Sequence, residues 1–153
     1  MKKILFVMLM AILPAVASYA QQAVGVNAVF AADSKNVGLG IKYQYYIADF
    51  IRLEPSGNFL FRKDGQSAYD LNMNAHFVFH LIDELNLYPL LGANLGIWKF
   101  SGISGDYNRL GLNCGAGLEY TFFGTTCINL EAKYVFAKDF DQPYVSAGIA
   151  YRF

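Results

Sequence analysis

The chain has 153 residues, with 12 acidic and 12 basic side chains, 55% apolar residues and 16% aromatic residues. No apolar run reaches the roughly 20 residues that a transmembrane helix needs, and the length fits one domain. Without Lys2 and Lys3 the chain keeps 10 basic residues against 12 acidic ones, so its net charge is near −2. This balance disfavours nucleic acid as a partner.

The amino terminus has the pattern of a secretory signal peptide. Two lysines are followed by the apolar run 4–16 and then by Ser18-Tyr19-Ala20, which places small residues before the expected cleavage site. The alternative, a membrane helix, is disfavoured because the run is short and Pro14 interrupts it. We therefore expect a signal peptide over residues 1–20, followed by one domain over residues 21–153.

The rest of the chain alternates between apolar and small or polar residues, with turn residues at regular intervals. This period of two predicts eight strands: 23–31, 37–47, 51–62, 69–81, 85–100, 109–122, 128–136 and 143–153. A membrane protein without apolar helices has to close its sheet, because lipid cannot satisfy the backbone of an open edge. The predicted fold is all-β, an eight-stranded antiparallel up-and-down transmembrane β-barrel with both termini on the periplasmic side.

The charged residues test this prediction, because Arg or Lys facing lipid at mid-membrane costs about 2–4 kcal/mol. When each strand is phased by its bulky apolar residues, nearly all strand charges take the opposite face, and Lys99, at a strand end, is the exception. We expect these charges and both histidines to form a polar network inside the barrel: Lys42, Arg52, Glu54, Arg62, Asp70, His76, His80, Arg109, Glu119, Glu131, Lys133 and Arg152.

Two further features concern local geometry. Pro55 lies within the third strand, where it removes a ladder donor and implies a bulge or a local break in pairing. Cys114 and Cys127 lie on adjacent strands but too far apart along them for a disulfide, so we expect two free thiols, each buried or facing lipid.

Three stretches resemble a known family. The chain ends in Gly148-x-x-Tyr151-x-Phe153, which resembles the terminal strand signature that the assembly machinery of bacterial outer-membrane barrels recognises. The strands Leu87-Tyr88-Pro89-Leu90-Leu91-Gly92 and 112–120 are similar to those of small outer-membrane β-barrels, the family that includes the OmpA- and OmpX-like and opacity-type proteins. The resemblance implies a Gram-negative outer-membrane location, contact with membrane lipid, and Gly148, Tyr151 and Phe153 as an assembly signal.

The sequence predicts no enzyme, no cofactor, no metal ligands and no catalytic residues. His76 and His80 share a strand face, and a metal site or a lipid hydrolase is conceivable there. Interior hydrogen bonding is the favoured interpretation, because no catalytic motif accompanies the pair. With a filled polar interior and short outer loops, the expected role is structural or in surface interaction.

Two other functions stay open. Inward glycines leave room either for large neighbours or for a narrow channel that passes ions or small solutes. The further alternative is a soluble, lipocalin-like secreted barrel that binds a ligand, in which the apolar face would point inward.

Overall fold

The computed structural model describes residues 21–153, so the predicted signal peptide lies outside the described residues. Within this range the chain forms nine β-segments joined by turns. Their bounds are β1 Gln22–Ala31, β2 Asn36–Ala48, β3 Ile51–Lys63, β4 Gln66–Phe77, β5 Phe79–His80, β6 Leu85–Phe100, β7 Tyr107–Phe122, β8 Thr126–Ala137 and β9 Gln142–Arg152. Among these residues, no helix is long and apolar enough to cross a membrane.

The sheet closes on itself. Each strand pairs antiparallel with its neighbours in sequence, and β1 also pairs with β9, from Ala23 opposite Arg152 to Ala31 opposite Tyr144. Segments β4 and β5 both pair with β6 and form one barrel strand that is interrupted at Val78, whose N–H binds the carbonyl of Phe50 at 2.8 Å. The nine segments therefore make an eight-stranded up-and-down barrel, and the predicted fold is confirmed.

Side chains alternate between the interior and the outer face along every long strand. In β8, Cys127, Asn129 and Glu131 are buried, whereas Ile128 and Leu130 are 47% and 58% exposed. The face exposed in the isolated chain is apolar and the enclosed face is mostly polar. This is the reverse of a soluble protein and is the arrangement expected of a barrel in lipid.

The two ends of the barrel differ. One, the loop end, carries the connections 32–35, 64–65, 101–106 and 138–141; the other, the termini end, carries Gln22, Phe153 and the connections 49–50, 81–84 and 123–125. Asp64-Gly65 and Phe123-Gly124 all have positive φ, as the tight turns between antiparallel strands require. The N–H of Phe153 donates to the carbonyl of Gln22 at 2.8 Å, which joins the last residue of the chain to the start of β1.

Of the two irregularities expected at Pro55, a bulge or a local break in pairing, the structure shows the break. The β2–β3 ladder passes from Lys42 opposite Ser56 to Tyr45 opposite Leu53 with no change of register, so pairing is broken locally without a bulge. Pro55 keeps its place opposite Met73 on the other side.

The two cysteines are free and lie on different faces of the barrel wall. Cys114 is exposed on the outer face, opposite Tyr134, and Cys127 is buried inside, opposite Thr121. The large offset along the ladder is the reason that they cannot be bridged.

Candidate functional site

Within residues 21–153, most of the buried polar side chains lie in the barrel interior. Eight of the twelve residues predicted for an interior network are buried there: Lys42, Arg52, Glu54, Asp70, His76, Glu119, Glu131 and Lys133. Arg109 and Arg152 are half-buried near the loop end and the termini end. The strands hold these groups inward because their neighbours in sequence are bulky apolar residues that face outward.

Arg62 and His80 are exposed, so the interior position predicted for these two residues is wrong. Arg62 lies where the pairing of β3 with β4 shifts register, between Leu60 and Lys63, so the regular alternation no longer applies. His80 belongs to the two-residue segment β5 at the termini end, where its Nδ1 contacts Asn86 Oδ1 at 2.6 Å on the rim of the barrel.

Glu119 is the centre of an ion-pair cluster in the termini half of the barrel. Its Oε2 accepts from Arg52 Nη1 at 2.7 Å, and its Oε1 accepts from Arg152 Nη2 at 3.4 Å. Both guanidinium groups also donate to the Tyr46 hydroxyl, at 2.9 and 3.1 Å, and both lie over the Tyr46 ring. Four strands, β2, β3, β7 and β9, are tied together by these four side chains.

His76 adjoins this cluster. Its Nδ1 accepts from Arg52 Nε at 3.0 Å, and its ring stacks on Tyr88 with centroids 4.6 Å apart. Because Nδ1 accepts, a neutral ring carries its proton on Nε2, which points towards Glu54 Oε1 at 3.7 Å. Glu54 Oε2 in turn accepts from Gln44 Nε2 at 2.7 Å.

Amide side chains make up the middle of the interior. Asp70 accepts from three asparagines, Asn58, Asn72 and Asn94. Asn72 Oδ1 then accepts from Asn94, Asn113 and Lys133 Nζ, the last at 3.1 Å. Carboxylate charge is thus solvated by amide N–H groups, in the same way that bulk water would solvate it.

Lys42 is held in the same manner. Its Nζ donates to Asn129 Oδ1, and Asn129 Nδ2 donates to the Tyr88 hydroxyl at 3.0 Å. The Tyr88 hydroxyl donates to Glu131 Oε2 at 3.2 Å. The interior is therefore only partly salt-bridged: ion pairs dominate beside Glu119, and hydrogen bonds to amides and tyrosines carry the remaining charges.

An apolar plug fills the loop half of the interior, and sequence reasoning missed it as a unit. It consists of Val29, Ala31, Leu60, Ala68, Trp98, Val135, Ala137 and Tyr144, with Phe100 and Phe140 packed against it. Trp98 stacks on Phe140, which reaches in from the loop 138–141, with ring centroids 5.4 Å apart. The inward phase of Trp98, Leu60 and Val135 was the available signal, but a loop residue such as Phe140 has no phase to read.

Little open space remains between these groups. The polar interior holds a cavity of about 10 Å³ beside Lys42, Glu54, Glu131 and Lys133, which is room for about one water molecule. The inward glycines do not leave a path. A side chain at Gly117 would overlap the Tyr88 ring, and one at Gly38 would meet Leu60 Cδ2 at 2.8 Å.

Glu54, His76 and Glu131 have ligand atoms within 4.8 Å of one another, which is close enough to hold a metal ion. The surroundings oppose one, however. Arg52 keeps the imidazole proton on Nε2, the atom that would have to bind the metal, and Lys42 and Lys133 line the same space. This carboxylate–imidazole group is better matched to the cations that already surround it.

A comparison with protein families decides what kind of barrel this is. The family described as "Outer membrane protein beta-barrel domain" matches residues 4–153. The chain belongs to this family. It is thus an outer-membrane barrel of the small, OmpA- and OmpX-like kind, and the predicted resemblance and Gram-negative outer-membrane location are confirmed. A search of curated protein sequences finds no match.

Solved structures with the same fold agree. The N-terminal β-barrel domain of Pseudomonas aeruginosa OprF superposes with a TM-score of 0.72 at 16% identity, covering 88% of this chain and 100% of that one. Ail, the attachment invasion locus protein of Yersinia pestis, gives 0.62 at 21% identity, covering 88% and 99%. Neisserial surface protein A gives 0.67 at 15% identity, covering 88% of this chain and 94% of that one.

The soluble calyx is therefore the wrong alternative for this chain. In an outer-membrane barrel the apolar side chains face lipid, and here Leu39, Leu110 and Leu130 all lie on the outer face with more than half of their surface exposed. The enclosed side carries the ionised groups instead.

Proposed function

We propose that this protein is a closed outer-membrane barrel with a structural or surface-interaction role, rather than a channel or an enzyme. The observation that carries the proposal is the filled interior. The apolar plug occupies the loop half, and the network centred on Glu119 and Asp70 occupies the rest. An ion crossing the lumen would have to displace buried side chains from both layers.

Electrical recording tests the closed lumen. Purified protein, reconstituted in a planar bilayer, should give no steady conductance above that of bilayers without protein. The matched positive control is a general porin recorded in the same lipid. Stable unitary steps from heat-modifiable, folded protein would replace this proposal with the narrow channel, the alternative that the inward glycines left open.

The absence of enzymatic activity is part of the same proposal. His76, the most enclosed candidate for acid or base chemistry, has no exposed surface, and its Nδ1 is engaged by Arg52. A lipid substrate in the membrane cannot reach a group inside the wall. Incubation of the folded barrel in phospholipid vesicles should leave the lipids unchanged by mass spectrometry, and released fatty acid would contradict the proposal.

For surface interaction we propose the loop end as the contacting surface. Phe100 and Tyr107 pack edge to face there, 5.5 Å apart, and Ile103 is 52% exposed beside them in the sequence. The loop end carries Lys35, Arg62, Lys63, Lys99, Arg109 and Lys138 against Asp33, Asp64, Asp106, Asp139 and Asp141. Ail has been solved with a heparin analogue, but the nearly balanced charge of this loop end favours a smaller, mixed contact over a polyanion.

The terminal strand is proposed as the assembly signal. Tyr151 and Phe153 face outward, 54% and 64% exposed, where an assembly factor can reach them. Gly148 contributes through close packing of the strands rather than through an exposed side chain, because a Cβ there would approach Val26 O at 2.8 Å. Phe153→Ala should lower the fraction of heat-modifiable protein in cell membranes, whereas Phe136→Ala, on another outward position, should not. Equal assembly of both variants would contradict a role for Phe153 as the signal.

A further inference from the structure

The outer wall of the barrel carries an apolar groove of about 880 Å³ across β9, β1, β2, β3 and β4. Small outward residues form its floor. Gly57 lies between Ile41 and Leu71 in neighbouring strands, and Ala28 lies between Leu39 and Ala147. The groove is open along the outer wall, and its volume is comparable to that of small-molecule pockets, so it has room for an extended hydrocarbon chain.

The groove leads towards a basic corner at the loop end. Tyr69, part of the groove lining, lies beneath Lys99, whose Nζ is 5.5 Å from the centre of the ring. On the ladder between β3, β4 and β6, Lys63 is opposite Gln66 and Lys99 is opposite Ser67. Both lysines flank the start of β4, and Lys99 is the one that lies over the groove lining. Arg62 is exposed beside Lys63, and Asp64 in the adjoining turn leaves this corner with a net charge near +2.

An apolar groove that ends at cationic groups is complementary to a molecule with a hydrocarbon chain and an anionic head. The outer-membrane location places the wall against hydrocarbon and the corner at the headgroup level. We propose that this wall is a binding site for a membrane lipid with an anionic phosphate headgroup, with an acyl chain in the groove and the headgroup against Lys99. Cationic side chains near a membrane surface attract anionic headgroups, so a zwitterionic lipid would occupy the site less well.

Photochemical labelling tests the site directly. The folded barrel is reconstituted in phosphatidylcholine vesicles that contain a trace of phosphatidylglycerol carrying a diazirine on one acyl chain. A parallel sample contains the same diazirine chain on phosphatidylcholine. We expect the phosphatidylglycerol probe to label peptides of β1–β4 several-fold more than peptides of β7, on the opposite wall, and to exceed the phosphatidylcholine probe at the groove.

Two variants separate the groove from the corner. Gly57→Leu fills the groove, and its Cβ would meet Leu71 Cδ2 at 3.5 Å, an ordinary contact. It should lower labelling of β1–β4 by both probes, whereas the matched control Ala116→Leu on β7 should not. Lys99→Gln should remove the preference for phosphatidylglycerol and leave labelling by the phosphatidylcholine probe unchanged; Lys138→Gln, in another loop, serves as its control.

Folding of each variant is checked by the shift in gel mobility on boiling, and Ala147→Leu replaces Gly57→Leu if the latter does not assemble. Uniform labelling around the barrel, or unchanged labelling after the groove is filled, would overturn the site. Equal labelling by the two probes in the wild-type protein would overturn the choice of an anionic lipid. These results are independent of the lumen, because the groove lies on the other side of the wall.

Discussion

Arg52 and Glu119 form an ion pair of 2.7 Å inside the barrel, with 0% and 1% of their side-chain surfaces exposed. They lie on β3 and β7, strands that are not neighbours in the sheet, so the pair spans the interior rather than the wall. A buried ion pair contributes little net stability over apolar residues of the same shape, but removal of one partner leaves the other charge uncompensated.

Arg52→Met should therefore lower the free energy of unfolding by about 3–5 kcal/mol, because Glu119 then keeps only the 3.4 Å contact with Arg152. Unfolding in urea from phospholipid vesicles, followed by the fluorescence of the single Trp98, measures the change. The double variant Arg52→Met with Glu119→Leu should recover a large part of the loss.

The control for this experiment is Arg62→Met. Arg62 is exposed at the loop end, so its replacement should alter the unfolding free energy by no more than about 0.5 kcal/mol. A double variant as unstable as Arg52→Met alone would contradict the view that the uncompensated charge of Glu119 causes the loss.

A second prediction concerns the fit of Tyr88 against Gly117. The Tyr88 ring occupies the space where a side chain at position 117 would be, and the ring also stacks on His76. Gly117→Ala should destabilise the barrel by about 1–3 kcal/mol through overpacking, measured by the same urea titration. Gly57→Ala, on the open outer face, is the matched control and should be close to neutral, so equal losses would refute the packing explanation.

Much of the fold follows from local pattern. Side-chain direction alternates from one residue to the next along a strand. Bulky outward residues such as Leu130 therefore indicate that Glu131 and Lys133 point inward, without any knowledge of the neighbouring strands. Eight predicted strands and the faces of nearly all strand charges could be obtained in this way, and the closed barrel follows because lipid excludes open edges.

The partners across the interior could not be predicted. Arg52 and Glu119 are 67 positions apart, and their meeting depends on the stagger of all the strands between them, which alternation does not encode. The apolar plug could not be predicted as a unit either, because Phe140 belongs to a loop and alternation does not indicate where a loop side chain points. Arg62 was misplaced because a register shift beyond Leu60 ends the regular alternation.

A third prediction tests the plug. Phe140→Ala removes the ring that stacks on Trp98, so the tryptophan emission should shift to longer wavelength as water approaches the indole. Conductance in planar bilayers should stay at the baseline, because Leu60, Val135 and the polar layer beneath still fill the lumen. Channel activity in Phe140→Ala alone would mean that this one ring closes the barrel.

The final prediction addresses which face meets lipid, on which the whole assignment depends. Cys114 is exposed on the outer face of β7, and Cys127 can be changed to Ala with little disturbance because it packs against Ala23 and Ala150. A nitroxide attached to Cys114 in the Cys127→Ala protein should collide more often with oxygen, which concentrates in hydrocarbon, than with a water-soluble nickel chelate. A nitroxide at an exposed loop position, Asp106→Cys in a cysteine-free background, should show the opposite order. If the label at Cys114 met the nickel chelate as readily as the loop label does, the apolar face would not be the lipid face.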